Sequence, residues 1–309
     1  MNVVVLAGGV GGARFLRGVV DVVDPVTVAI VGNVADDLEV LGLHVSPDLD
    51  TILYQLTGRA DEAQGWGRAG ETWSALSTVA ELGGESWFRL GDLDLGLHLV
   101  RTEALRAGEP LSAVTERIAH AFGLEPALLP ATDDRLRTFV ETPAGTFSFQ
   151  TWFVGRGHRD EVDAVHFEGA DGARPAPGVL EALAAAELIV IAPSNPYVSI
   201  APIVAVGAIR EAIEARRVPC VAVSPLIGGR AVKGPADRML ARLAGGTRPA
   251  DVASTYADLI DALVVDEADA DDLGGLAGVR PVVAKTLMVD ADARRRLAEA
   301  VLDAAATAR

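Results

Sequence analysis

Cysteine occurs once, at Cys220, which excludes an internal disulfide and a thiolate-held metal cluster. Long hydrophobic runs are also missing. Half of the 309 residues are apolar, yet glycine or charge interrupts every run well short of the roughly 18–20 residues of a membrane span. The first run breaks at glycines after Leu6 and has no basic leader, so no secretion signal is expected and the cytoplasm is the expected compartment. Positive charge is scarce: 27 Lys and Arg against 43 Asp and Glu leave a net charge of −16. That argues against a nucleic-acid partner, which needs a basic face. It leaves room for an anionic small molecule, because glycine amides and a few arginines can reverse the sign locally. Acidic residues around such a ligand point to Mg²⁺ as mediator.

What is there is abundant glycine, 32 residues against three Met and three Tyr, in a pattern that suits an α/β fold. The chain begins MNVVVLAGGVGGAR. Val3 to Leu6 is a β-branched apolar run of the kind a strand shows when both faces of a parallel sheet are covered. Gly8, Gly9, Gly11 and Gly12 follow, and a helix-like pattern starts at Phe15. A strand turning through glycines into a helix presents backbone N–H groups to an anion, and Arg14 adds a charge. The third glycine of a dinucleotide fingerprint is missing, since Arg14 stands in its place. So is the Gly-Lys-Ser/Thr of a Walker loop. The loop therefore predicts phosphate binding without naming the molecule.

Val26 to Val31 reads as a second strand, ending in a loop with Asp36 and Asp37. Parallel strands would deliver that loop to the carboxyl edge of the sheet, where open α/β folds bind ligands. Asp36 suits a ribose contact or a metal, or is a solvated loop acid. Ser46-Pro-Asp-Leu-Asp-Thr51 opens an apolar helix. Its Asp48 and Asp50 serve either as helix-terminal acids or as oxygen ligands of a hard cation. Trp66 and Trp73 lie in a glycine-bearing polar stretch, and Arg89 precedes Gly91-Asp-Leu-Asp94. His98 and Arg101 follow on a helix over 95–107.

Residues 111–129 read as an amphipathic helix closed by Gly123, and 135–153 as a hairpin. Residues 58–175 thus form an inserted region of helices plus a hairpin. The nucleotide-binding core is 1–57 and 176–309. The core resumes with a helix at 179–186 and a strand at 188–192 ending in Pro193-Ser194-Asn195-Pro196. After a helix over 209–217, a strand at 218–223 runs into Ser224, Gly228, Gly229 and Lys233, a second glycine-bearing loop with basic residues. Strands near 263–266 and 282–284 and a terminal helix complete the pattern. The predicted fold is a doubly wound, mainly parallel, Rossmann-like sheet whose strand ends converge on one crevice.

GGVGGAR, SPDLDT, LGDLD with His98, APSNP and SPLIGG stand in this order along nearly the whole chain. Together they resemble the 2-phospho-L-lactate transferase family of deazaflavin coenzyme F-420 biosynthesis, and GGVGGARFL resembles its bacterial branch. The resemblance implies an Mg²⁺-dependent enzyme. Such an enzyme moves a phospholactyl or phosphoenolpyruvyl group from its guanosine diphosphate derivative to the ribityl hydroxyl of the deazaflavin Fo, releasing GMP. Carried over by motif, Gly8, Gly9, Gly11, Gly12, Arg14, Ser194, Asn195, Ser224, Gly228, Gly229 and Lys233 would hold the nucleotide and its phosphates. Asp50 and Arg89 would bind Fo, and Asp36 and Asp50 would position Mg²⁺, with both acids catalytic. A homodimer is implied as well. One departure stands out: Leu93 replaces the arginine of the family's usual Gly-Asp-Arg-Asp.

Two rivals fit less well. A nucleotide-sugar-binding regulator of the gluconeogenesis-factor type would carry Gly-Gly-Ser-Ser-Gly after the Asp pair, where this chain has Leu38-Glu-Val-Leu41. An NAD-dependent oxidoreductase would need the missing third glycine.

Overall fold

The computed structural model of the chain describes residues 1–307. Strand β1 (Val3–Ala7) is buried at every residue, as its unbroken apolar run requires. It turns into α1 (Gly9–Val22), followed by β2 (Val28–Gly32), the small ladder β3 (Leu38–Val40) and β4 (Leu43–Val45), and α2 (Pro47–Leu56). Helices α3 (Ser74–Glu81), α4 (Asp92–Arg106) and α5 (Leu111–Ala121) precede β5 (Ala127–Pro130) and the antiparallel strands β6 (Arg137–Thr142), β7 (Gly145–Ser148) and β8 (Ala164–Glu168). The chain then runs through α6 (Val179–Ala185), β9 (Leu188–Ile191), α7 (Ala201–Val204), α8 (Gly207–Glu214) and β10 (Cys220–Val223). A two-residue ladder, β11 (Leu226–Ile227) and β12 (Arg230–Ala231), leads to α9 (Ala236–Leu243) and α10 (Pro249–Ser254). Last come β13 (Ala262–Asp266), β14 (Arg280–Ala284) and α11 (Ala291–Ala306).

The central sheet has the order β5-β2-β1-β9-β10-β13-β14, and every pair in it is parallel. This is the doubly wound arrangement, with strand order reversing between β1 and β9. Side chains alternate between two helical layers. Val3, Val5 and Ala7 pack with Phe15, Leu16 and Val301 on one face, and Val4 and Leu6 pack with Val179, Ile209 and Val252 on the other. Gly18 lets α1 cross α11 closely, since a Cβ there would lie 2.2 Å from the Arg294 carbonyl oxygen. Among the described residues no single helix is long and apolar enough to cross a membrane.

The structure alters one reading of the insert. The helix expected over 111–129 stops at Ala121, and Gly123 follows with φ +74°. Residues 127–130 form β5, which pairs with β2 at the edge of the central sheet. Four residues are too short a run to show a period, so the apolar pattern of α5 ran on into them. The hairpin of 135–153 is present as β6–β7, and β8 adds a third antiparallel strand beside β6.

Candidate functional site

A cavity of about 800 Å³ opens at the carboxyl ends of β1 and β9, where the strand order reverses. Its floor is the glycine turn. A Cβ on Gly8 would lie 2.5 Å from Asp48 Oδ2, one on Gly11 2.7 Å from the Pro193 carbonyl oxygen, and one on Gly12 2.5 Å from Ser194 Oγ. These glycines let the ends of β1 and β9 and the first turn of α2 meet. Gly9 has φ +67°, a conformation that favours glycine. The Ser194 hydroxyl donates to the Gly8 carbonyl at 2.8 Å, tying β9 to the turn. The turn is not a fully free anion seat, however, because the Gly9 N–H donates to Asp48 Oδ1 at 2.8 Å. The first-turn amides of Val10 and Gly11 retain no intrahelical acceptor, as at any helix start.

Acidic side chains from two elements gather beside this floor. Asp48 and Asp50 come from the first turn of α2, and Asp36 from the loop after β2; all three are buried and line the cavity. The Asn33 amide holds Asp48 Oδ2 at 3.0 Å. Asp36 Oδ1 has no hydrogen-bond partner. Burial, with Asp48 nearby, pushes the Asp36 carboxyl well above its usual range, and burial pushes Asp48 up to about 6. Asp37 turns away from the cavity to accept from Ser46 Oγ at 2.8 Å and to meet His44 Nε2 at 2.9 Å.

Asp50 is differently placed. Both of its oxygens accept from the Arg101 guanidinium, one at 2.9 Å from Nη1. Arg101 is 2% exposed. Burial opposes its charge, but Asp50, with Asp37 and Tyr54 adding to it, offsets this and raises its pKa. His98, one helical turn earlier, presents Nδ1 to Arg101 Nη1 at 3.4 Å. Burial lowers its pKa to about 4, so the ring is neutral. The Tyr54 hydroxyl donates to Asp94 at 2.6 Å, and burial raises Asp94 to about 6.

Arg89 lies over the Trp73 ring at 4.3 Å and the Trp66 ring at 5.8 Å from the centroids. Two capping carboxylates pin this segment. Glu71 accepts from the N–H groups of Leu93 and Asp94 at the start of α4, and Asp92 accepts from those of Ser74 and Ala75 at the start of α3. Leu93, which replaces the expected arginine, is 41% exposed and is absent from the cavity wall.

Of the residues singled out by sequence, Gly8, Gly9, Gly11, Arg14, Asp36, Asp50, Arg89, Ser194, Asn195, Ser224 and Lys233 line this one cavity. Gly12 sits behind Ser194. Gly228 and Gly229 correct the reading of the second glycine loop: both amides donate to the Asp269 carboxylate at 3.0 Å, and neither residue reaches the wall. Asn195 is spent locally, its side chain accepting from the Tyr197 N–H and donating to Met239 Sδ. Arg14 donates to the Met288 carbonyl at 2.8 Å and lines the wall beside it.

Sequence reasoning missed the aromatic wall of Phe149, Phe153 and His158. Phe153 stacks on Phe149 at 5.1 Å and on His158 at 4.9 Å. Phe153 lies in a π-helical turn at Thr151–Gly155, between the other two rings, and nothing in their spacing announced it. The Thr286–Met288 segment after β14 was missed too. Arg101 was read only as a helix residue; its signal was an arginine seven residues beyond Asp94 on a face with buried Leu97 and His98.

Among the described residues, no group of three or more acidic, imidazole or thiol side chains is gathered as a ready metal cage. Mg²⁺ bound with substrate phosphates needs only one or two carboxylates. Asp36, with an orphaned buried oxygen, and Asp48, with a raised pKa, form an uncompensated carboxylate pair that fits a hard cation. Asp50 fits less well than expected, because Arg101 already neutralises it.

Fold and site together define a Rossmann-type α/β protein with a glycine turn at the switch point of its sheet and an acidic, aromatic-walled cavity. The family model described as 2-phospho-L-lactate transferase CofD matches residues 3–304. Proteins named phosphoenolpyruvate transferase are similar along the whole chain. The one from Kitasatospora aureofaciens is 44% identical over 98% of this chain and 97% of its own, and that from Thermobifida fusca 43% identical over 99% and 98%. The one from Mycolicibacterium smegmatis is 37% identical over 99% of both. Among solved structures, a UPF0052-family protein from Bacillus halodurans shares the fold, with a TM-score of 0.66 at 19% identity, over 97% of this chain and 98% of that one. The chain belongs to the 2-phospho-L-lactate transferase family, and it is a transferase.

Proposed function

We propose that the protein transfers a phosphoenolpyruvyl group from its guanosine diphosphate derivative to the ribityl hydroxyl of Fo, releasing GMP, in F-420 biosynthesis. The names of its relatives at 37–44% identity favour phosphoenolpyruvate over phospholactate. The observation that carries the reading is the single cavity, which joins a glycine turn at the switch point to buried carboxylates and an aromatic wall. A diphosphate, a hydroxyl and flat rings can all be accommodated there.

In this reading the first-turn amides of α1, with Arg14 and Lys233, hold the diphosphate. The acceptor hydroxyl attacks the phosphorus bearing the enolpyruvyl group. A P–O bond forms to the acceptor, the P–O bond to GMP breaks, and the hydroxyl proton passes to Asp50. Arg101 fixes both oxygens of Asp50, so the carboxylate is oriented before substrate arrives. Arg89, steadied over Trp73, contacts Fo. Asp36 and Asp48 would hold Mg²⁺, which when bound supplies charge neutralisation on the diphosphate. A homodimer working in the cytoplasm completes the proposal.

Fluorescence titration of Fo, with GDP and Mg²⁺ present, tests the reading. Saturable binding weakened by Asp50→Ala, with GMP released faster from the enolpyruvyl than from the lactyl donor, is expected. Absence of Fo binding alongside binding of a uridine nucleotide sugar overturns it.

A further inference from the structure

Arg101 sets the tautomer of His98. A guanidinium has only donors, so a ring nitrogen 3.4 Å from Arg101 Nη1 must be the acceptor. Nδ1 is that nitrogen, and Asp50 Oδ2 lies 3.9 Å from it, beyond hydrogen-bond reach. The proton of the neutral ring therefore sits on Nε2. That atom has no partner among the described residues, yet it is not among the buried polar atoms left unpartnered. It opens on the cavity that His98 lines.

We propose that His98 Nε2–H is a fixed, uncharged donor for a hydroxyl oxygen of the acceptor alcohol, a positioning contact that the phosphates do not share. The inference rests on the functional reading above. Its chemistry is local. Asp50, already paired with Arg101, and Asp94, which has no ion-pair partner among the described residues, line the same cavity. The unpaired Asp94 disfavours a phosphate beside the ring, whereas a hydroxyl both accepts and donates. Such a group takes the imidazole proton and gives its own to a carboxylate. The charged and titratable groups facing the ring are Asp50 from α2, Arg101 on α4 and His44 from β4. Burial, with Arg101 and His44 adding to it, outweighs the pull of Asp50 and keeps the imidazole uncharged, so its donor persists near neutral pH without a competing second N–H.

Long-range ¹H–¹⁵N NMR of the wild-type protein reads the tautomer directly, and the Nε2–H form is expected at pH 7. Fo and GDP are then titrated separately, with Mg²⁺, into wild type, His98→Phe and His98→Gln. His98→Phe should weaken Fo about 2- to 13-fold, the cost of one hydrogen bond, and leave GDP affinity unchanged. His98→Gln, whose amide can donate from a similar place, should recover most of the loss. An Nδ1–H tautomer, equal losses in both variants or a matching loss for GDP overturns the inference while the transferase reading stands. Wild-type protein that binds no Fo overturns both.

Discussion

Replacing Arg101 by methionine removes a charge from a place where water cannot substitute for it. Arg101 is 2% exposed and Asp50 5%, and the two meet through both carboxylate oxygens. Breaking a buried pair by removing one partner costs about 3–5 kcal/mol, because the surviving charge is left desolvated. Against a total stability of about 5–15 kcal/mol that is a large fraction. Asp50→Asn should cost a comparable amount by leaving the guanidinium uncompensated. The double variant should lose less than the sum, with a coupling of about 2 kcal/mol. Urea denaturation of wild type, both single variants and the double variant measures the cycle. Additivity within about 0.5 kcal/mol, or an Arg101→Met cost below about 1 kcal/mol, would refute the claim that the pair is a single buried unit.

Asp94 should make stability depend on pH. Its pKa rises from an unfolded value near 3.8 to about 6 on folding, so the folded state binds the proton more tightly. Stability is therefore highest below about pH 4 for this group and falls as pH rises toward 6, by up to about 3 kcal/mol. Asp94→Asn should flatten that part of the pH–stability curve while Tyr54 keeps an acceptor; an unchanged slope between pH 4 and 6 would count against it. Gly11→Ala puts a methyl 2.7 Å from the Pro193 carbonyl oxygen, a backbone atom that cannot swing aside. A loss of about 1–3 kcal/mol is expected, with weaker GDP binding by calorimetry; unaltered values would show that the strand ends can part freely. Asp36→Asn should abolish the rise in melting temperature that Mg²⁺ gives with GDP present, and an undiminished rise would remove Asp36 from the cation site.

The sheet was legible because each central strand is a short apolar run closed by glycine, proline or acid, and both faces of the sheet are covered. Val3–Ala7, Leu188–Ile191 and Cys220–Val223 all follow that rule. β5 escaped because Ala127–Pro130 is too short to carry a period and is reached only after the 58–126 excursion. The glycine turn was legible in position but not in full meaning. Three of its glycines serve close packing against Asp48, Pro193 and Ser194, and a carboxylate already occupies the Gly9 amide. Gly228 and Gly229 misled for a related reason: glycine amides in a turn suit any anion, and Asp269 of the same chain is one. Arg101 was hidden because its partner Asp50 is 51 residues away in sequence, and the rings of 149–158 because the π-helical turn between them has no sequence period.

The charge balance of the cavity explains why a cation belongs in the proposal. Asp36, Asp48, Asp50 and Asp94 line it, against Arg14, Arg89 and Lys233. Arg101 cancels Asp50 from behind, so the opposition to an incoming diphosphate comes from Asp36 and Asp48, which share the floor with the glycine turn. Their raised pKa values have burial as the largest cause, with mutual proximity adding to that of Asp36. A diphosphate approaching the first-turn amides meets Asp48 at the same place, because Asp48 holds the neighbouring Gly9 N–H. A divalent cation between the carboxylates and the phosphates turns that repulsion into attraction at both ends. Linkage then requires Mg²⁺ and the nucleotide to tighten each other's binding by the same factor. The same acids that make the empty site unfavourable to an anion would make the loaded one selective for an anion that arrives with its metal.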